Sequence, residues 1–190
     1  MLHPPLIWAA ACAIAYTIPA FAITADPIFI NGFGAEPAAL AGITADHNVV
    51  RAGVGVGMAP LFWNERLAAS AQAWADQCVD VQAPVGLLDY NPPVNRSAGF
   101  PWYIGENIYG SGGGTATAQG AVTSWASEQQ YYNYATNTCD AGQICGHYTQ
   151  VVWATSIFLG CGISYCSKLA YPSSIVCDYG PGGNDGGRPY

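Results

Sequence analysis

Once the first 22 residues are set aside, two histidines and two glutamates stand out as groups able to do chemistry: His47, His147, Glu106 and Glu128. Imidazole nitrogen and carboxylate oxygen together form a ligand set that could hold Zn²⁺ or a similar divalent ion. The same four groups could move protons near neutral pH. Nothing in the spacing shows that they meet. On residue types alone the commoner outcome is structural: His47 capping a helix, His147 filling a polar core position, the glutamates solvated. Other catalytic patterns are weaker. There is no Gly-x-Ser-x-Gly turn for a serine nucleophile and no His-Glu-x-x-His helix for a metalloprotease. Cys145 precedes His147 by two residues, but a bridged sulfur cannot attack, and the cysteine pattern below favours bridging. The glycine run at residues 110–114 lacks the Gly-Lys-Ser/Thr of a phosphate loop and reads as a turn.

The elements that would position these groups follow from local pattern. Residues 146–153 alternate β-prone side chains and predict a strand, with His147, Thr149, Val151 and Trp153 on one face and Tyr148, Gln150 and Val152 on the other. Pro37 can start a helix running to about Arg51, which places His47 and Arg51 on one helix face at i, i+4. Asn64 is a candidate N-cap for a helix in which Leu67, Ala71, Trp74 and Ala75 recur at helical spacing. Glu106 falls in a short connector at residues 104–109. Glu128 falls on a helix at residues 117–130, at the edge of a stripe that includes Val122 and Trp125. Residues 80–103 are Pro-rich and loop-like, and residues 160–165 and 174–179 predict two further strands. Helices come first and strands later, which is the pattern of an α+β fold. Trp125, Tyr131, Tyr132 and Tyr134 combine apolar bodies with polar tips and could line a lipid groove, although by residue type a core edge is the commoner role.

At 190 residues the chain can build one domain with a sizeable core. Its net charge of −7 and five scattered basic residues (Arg51, Arg66, Arg96, Lys168, Arg188) speak against nucleic acid and anionic membrane surfaces as partners. Residues 6–22 are apolar and end in Ala20-Phe21-Ala22, a small-x-small cleavage pattern. Residues 1–22 therefore read as a signal peptide, with an irregular lead-in at 23–36 and the domain at 37–190, including a Gly/Pro-rich tail at 181–190. Cys12 lies in the leader. The six remaining cysteines (Cys78, Cys139, Cys145, Cys161, Cys166, Cys177) argue for three disulfides, with fifteen pairings open, in a secreted, extracellular protein. Asn95-Arg96-Ser97 is a glycosylation sequon, which would put Asn95 in a surface loop.

Six ordered motifs together resemble the CAP superfamily of cysteine-rich secretory, antigen 5 and pathogenesis-related class 1 proteins. They are His47-Asn48-Val49-Val50-Arg51; Pro60-Leu61-Phe62-Trp63 followed by Leu67-Ala68; Gly105-Glu106-Asn107-Ile108; Trp125, Glu128 and Tyr132-Asn133-Tyr134; the stretch from Gly146 to Trp153; and Ile175-Val176-Cys177-Asp178-Tyr179. The last two resemble the family's signature strands. The cysteine spacing is similar to the plant-type subgroup. The resemblance implies an α-β-α sandwich around a central antiparallel sheet, with His47, Glu106, Glu128 and His147 converging on a shallow cleft as a weak divalent-metal site. It further implies the pairings Cys78–Cys166, Cys139–Cys145 and Cys161–Cys177, and a sterol or fatty acid held near the aromatic region Trp125 to Tyr134. The function implied is a monomeric secreted binding protein of host–microbe defence, without catalysis. The alternatives are a zinc-dependent hydrolase using the same tetrad, or a precursor whose tail is released as a signalling peptide. The chain departs from the family pattern in lacking a His after the first cysteine, in its long Pro-rich segment at 80–103, in its acidity, in Asp178 where Asn is commoner, and in a tail one residue shorter.

Overall fold

The computed structural model describes residues 34–83 and 85–190; the leader and most of the lead-in lie outside the described residues. A four-stranded sheet forms the middle layer. Strands β1 (Phe62–Trp63), β2 (Gly105–Ser111), β5 (Phe158–Tyr165) and β6 (Ser173–Gly180) are ordered β1-β5-β6-β2. The β5–β6 and β6–β2 pairs are antiparallel, but β1 joins β5 in parallel, so the sheet is mixed rather than wholly antiparallel. A small hairpin pairs β3 (Tyr132–Asn133) with β4 (Thr138–Cys139).

Helices α1 (Ile43–Gly53), α4 (Ala118–Ser127) and α5 (Gly146–Val151) cover one sheet face, and α2 (Glu65–Ala75) covers the other. A one-turn helix α3 (Pro93–Arg96) interrupts the Pro-rich loop. Strand β6 shows the alternation that divides the two layers: Ile175, Cys177 and Tyr179 enter the larger core beneath α1, α4 and α5, while Val176 joins the smaller core with Ala71 and Trp74 of α2. Helix α2 can lie directly on β5 because two glycines face it. A Cβ on Gly160 would stand 2.1 Å from the Ala68 nitrogen, and one on Gly162 would stand 2.4 Å from the Gln72 Cα. Asn64 caps α2 by accepting the N–H groups of Arg66 and Leu67 at 3.0 Å.

Three elements differ from the sequence reading. Helix α1 begins at Ile43 rather than near Pro37, because Gly42 takes a left-handed conformation (φ 90°) after a short 3-10 turn, and the Glu36 carboxylate caps the N–H groups of Gly42 and Thr44 from outside. Residues 105–111 are a strand of the central sheet rather than a connector. Residues 146–151 are a helix, not a strand. Tyr148, Thr149, Gln150 and Val151 are buried in succession, so alternation carries no face information there. Both ends of this six-residue helix are satisfied by distant side chains. Glu128 accepts the N–H groups of His147 and Tyr148 at 3.0 and 3.1 Å, and Arg51 donates to the carbonyls of Val151 and Trp153 at 3.0 and 2.8 Å. Tertiary partners thus override a weak local preference for strand.

Three disulfides fasten the layers: Cys78–Cys166, Cys139–Cys145 and Cys161–Cys177. The last joins directly opposed residues of β5 and β6. Among the described residues no helix is long and apolar enough to cross a membrane. Asn95 is exposed, but on α3 rather than in a loop.

Candidate functional site

A cleft of about 330 Å³ opens beside the first residues of edge strand β2, with Glu106, Asn107, His147, Gln150, Tyr90 and Asn184 among its walls. His147 lines it from the first turn of α5. Its Nδ1 lies 2.6 Å from Glu128 Oε1, and its Nε2 lies 2.6 Å from the Tyr90 hydroxyl. Burial and the nearby carboxylates Glu106 and Glu128 push the Tyr90 phenol up to about 12, so it remains a donor at neutral pH. The tautomer consistent with both partners has Nδ1–H donating to Glu128 and Nε2 accepting from Tyr90. Glu128 Oε2 holds the backbone of the same turn, so one carboxylate fixes both the helix start and the imidazole.

Glu106 is buried at the cleft edge. Its Oε1 accepts the Asn91 N–H at 2.8 Å and lies 3.8 Å from Arg96 Nη1, while Oε2 has no hydrogen-bond partner. Asp178 faces it across the β2–β6 ladder. Burial, reinforced by the Asp178 charge, raises Glu106 to about 8 against the pull of Arg96 and the Asn91 N–H. Burial likewise raises Asp178 to about 7, against the pull of the Ser70 side chain and the Arg96 charge, and neither of its carboxylate oxygens has a hydrogen-bond partner. Both carboxyls are therefore held well above the usual carboxylate range, by burial first and, at Glu106, by the Asp178 charge as well. A carboxyl whose folded value is raised contributes stability at low pH that is lost as pH rises from about 4 to about 8. Asp178→Asn removes the part of that loss that Asp178 carries, both its own titration and its charge beside Glu106. Thermal or urea unfolding at pH 5 and pH 8 is expected to show the variant gaining on the wild type by at least about 1 kcal/mol at the higher pH. An unchanged gap between the two pH values would contradict the assignment.

The structure does not bring His47 into this cleft. His47 is wholly buried on α1. Its Nδ1 donates to the Ile43 carbonyl at 2.7 Å, and its Nε2 accepts from the Tyr179 hydroxyl at 2.8 Å. Tyr179 accepts in turn from Asn107 Nδ2 at 3.1 Å. Burial, with Arg51 adding to it, lowers His47 to about 4, so the ring is neutral. Trp125 packs against both imidazoles, with ring centroids 5.8 Å from His47 and 6.4 Å from His147. His47 lines neither of the pockets that His147 lines.

The four-residue ligand set therefore does not fit a divalent ion. Both His47 nitrogens and both His147 nitrogens have partners, and Glu106 Oε2 is the one orphaned carboxylate oxygen of the set. Among the described residues no group of three or more His, Cys, Asp or Glu side chains is placed to hold a metal. Sequence reasoning missed Tyr90, which lies in the Pro-rich loop without a local signal, and missed Arg96, which ties that loop to the Ile104 and Asn91 carbonyls. The lack of a His after the first cysteine was the one hint that the cleft would be built differently.

The aromatic region does not form a common wall. Trp125 is buried, with its indole N–H on the Ile108 carbonyl at 3.2 Å. Tyr132 packs on Tyr148, and Tyr131 is partly buried at the end of a 3-10 turn. Tyr134 stacks on Tyr190 at 4.6 Å, and its hydroxyl donates to the Tyr190 carbonyl. Arg188 adds hydrogen bonds to the Tyr134 and Ala135 carbonyls at 3.0 and 2.9 Å. The C-terminal tail thus occupies this surface. A separate groove of about 450 Å³ runs between α1 and α4, bounded by Val49, Val50, Val122 and Ala126 with Asp46, Gln119, Thr123 and Ser127.

The sandwich, the three disulfides and the sequence place the chain in one family: it belongs to the cysteine-rich secretory protein family, CAP, whose profile matches residues 44–179. It is 44% identical over 147 residues to tomato (Solanum lycopersicum) pathogenesis-related leaf protein 4, covering 77% of this chain and 80% of that one. It is 37% identical over 135 residues to human (Homo sapiens) GLIPR1-like protein 1, covering 68% of this chain, and it spans about half (51%) of that relative's length. Among solved structures, the Schistosoma mansoni venom allergen-like protein 4 superposes with a TM-score of 0.62 at 30% identity, covering 82% of this chain and 95% of that one.

Proposed function

We propose that this chain is a secreted, non-enzymatic binding protein of the pathogenesis-related class 1 type, acting in host–microbe defence by taking up a fatty acid or sterol. The observation that carries the lipid reading is the groove between α1 and α4. Its sides are aliphatic, Val49 is 72% exposed there, and polar groups stand along its rim. An exposed valine beside an open groove is surface that a lipid chain would cover. The groove departs from the aromatic region as the expected lipid site, since Tyr134 is stacked on the tail.

Thr123 lines the groove from an exposed position on α4, so a large side chain there fills the groove without entering the core. Thr123→Trp is expected to weaken binding of a fluorescent fatty acid or sterol by roughly tenfold or more, the effect of removing about 1.4 kcal/mol of contact, while the melting temperature stays within a few degrees. Equal binding by the two proteins would reject the groove as the lipid site. Binding of neither lipid above that of an unrelated acidic protein would reject the lipid function.

A further inference from the structure

The cleft around His147 has a second, independent consequence that does not rest on lipid uptake. Of the two histidines among the described residues, only His147 lines the cleft, where its Nε2 meets the Tyr90 hydroxyl. That nitrogen lies 2.6 Å from the Tyr90 hydroxyl, and the Tyr90 ring stands nearly parallel to the imidazole, at 20° and 6.3 Å between centroids. The backbone is anchored on both sides of Tyr90. On one side of Tyr90, the Asp89 N–H donates to the Val79 carbonyl and the Asp89 carbonyl accepts the Trp74 indole N–H, each at 2.8 Å. On the other side, the Asn91 N–H is held by Glu106 Oε1 at 2.8 Å.

We infer that Tyr90 decides what the cleft accepts: it turns a cation-ligating arrangement into a hydrogen-bonded one, and the wild-type protein refuses divalent metal at this site. A zinc–imidazole bond needs the nitrogen lone pair, which here accepts the hydrogen bond from the Tyr90 hydroxyl. The Glu128 carboxylate is on the far side of the imidazole, shared between Nδ1–H and two backbone N–H groups. The remaining carboxylate, Glu106, has the Arg96 guanidinium 3.8 Å away, which repels a cation. Replacing the phenol with a second imidazole would supply a second nitrogen in the cleft that His147 and Glu106 both line, where Glu106 Oε2 has no partner; two nitrogens and one oxygen are a set that divalent zinc or cobalt takes.

The test is titration of Co²⁺ and Zn²⁺ into the purified, disulfide-bonded protein, with Co²⁺ absorption and calorimetry as readouts. Wild type is expected to show no saturable uptake that depends on His147. Tyr90→His is expected to gain saturable uptake of one equivalent, and the gain should vanish in Tyr90→His combined with His147→Ala. Tyr90→Phe removes only the hydroxyl and must move the ¹⁵N resonance of His147 Nε2. The inference is overturned by stoichiometric wild-type uptake that is lost in His147→Ala, by a folded Tyr90→His that binds no tighter than wild type, or by an unmoved Nε2 resonance in Tyr90→Phe.

Discussion

Replacing Arg51 with methionine is expected to destabilise the fold by about 3–5 kcal/mol, read as a lowered urea midpoint with an unchanged slope. Arg51 is 1% exposed and faces no carboxylate in its hydrogen-bond set. Its guanidinium donates instead to four main-chain carbonyls: Ala59 at 3.0 and 2.7 Å, Val151 at 3.0 Å, Trp153 at 2.8 Å and Ser156 at 3.2 Å. Burial lowers the group only to about 10, so it keeps its charge at neutral pH. One side chain on α1 thus satisfies the end of α5 and the loop that leads into β5. Methionine fills similar space but leaves the carbonyls without donors in a dry interior, where each costs about 1–3 kcal/mol. Arg51→Lys is expected to recover only part of the loss, because an ammonium lacks the fork that reaches four acceptors. A methionine variant within about 1 kcal/mol of wild type would show that the carbonyls find other partners.

Removing the Cys78–Cys166 bridge is expected to have a comparable effect. It closes a separation of 88 residues and joins the end of α2 to the segment between β5 and β6. The chain-entropy relation gives about 4.6 kcal/mol for a loop of that length and about 2.2 kcal/mol for the six-residue Cys139–Cys145 separation. The double alanine variant at Cys78 and Cys166 should therefore lose about twice as much as the one at Cys139 and Cys145, measured by chemical denaturation under non-reducing conditions. An equal loss would mean that local packing, rather than loop closure, sets the contribution of these bridges.

Much of the scaffold was legible in the sequence where one local rule acted alone. Asn64 caps α2 as its side-chain type predicts, and the strands read at residues 160–165 and 174–179 lie within β5 and β6. The three disulfides needed the family resemblance, since cysteine count alone left fifteen pairings open. Residues 146–151 were not legible, because their helix depends on Glu128 and Arg51, which are far away in the chain. His47 and Arg51 do share a helix face as read from i, i+4 spacing, but that face turns into the core and not into the cleft. The motif containing His47 therefore serves packing in this chain, whereas the cleft chemistry lies with His147, Glu128 and Tyr90. Tyr90 has no local pattern: it reaches His147 from a Pro-rich loop 57 residues earlier in the chain.

The assignment of the two histidines to separate environments is tested most directly by following both imidazoles by ¹⁵N and ¹³C NMR as a function of pH. His47 is expected to stay neutral in its Nδ1–H form down to about pH 4, because burial withholds its second proton. Its resonances should also ignore added Zn²⁺. If His47 titrates near the ordinary histidine value of about 6.5, or if both rings shift together on addition of one equivalent of Zn²⁺, the two imidazoles share a site and the account is wrong.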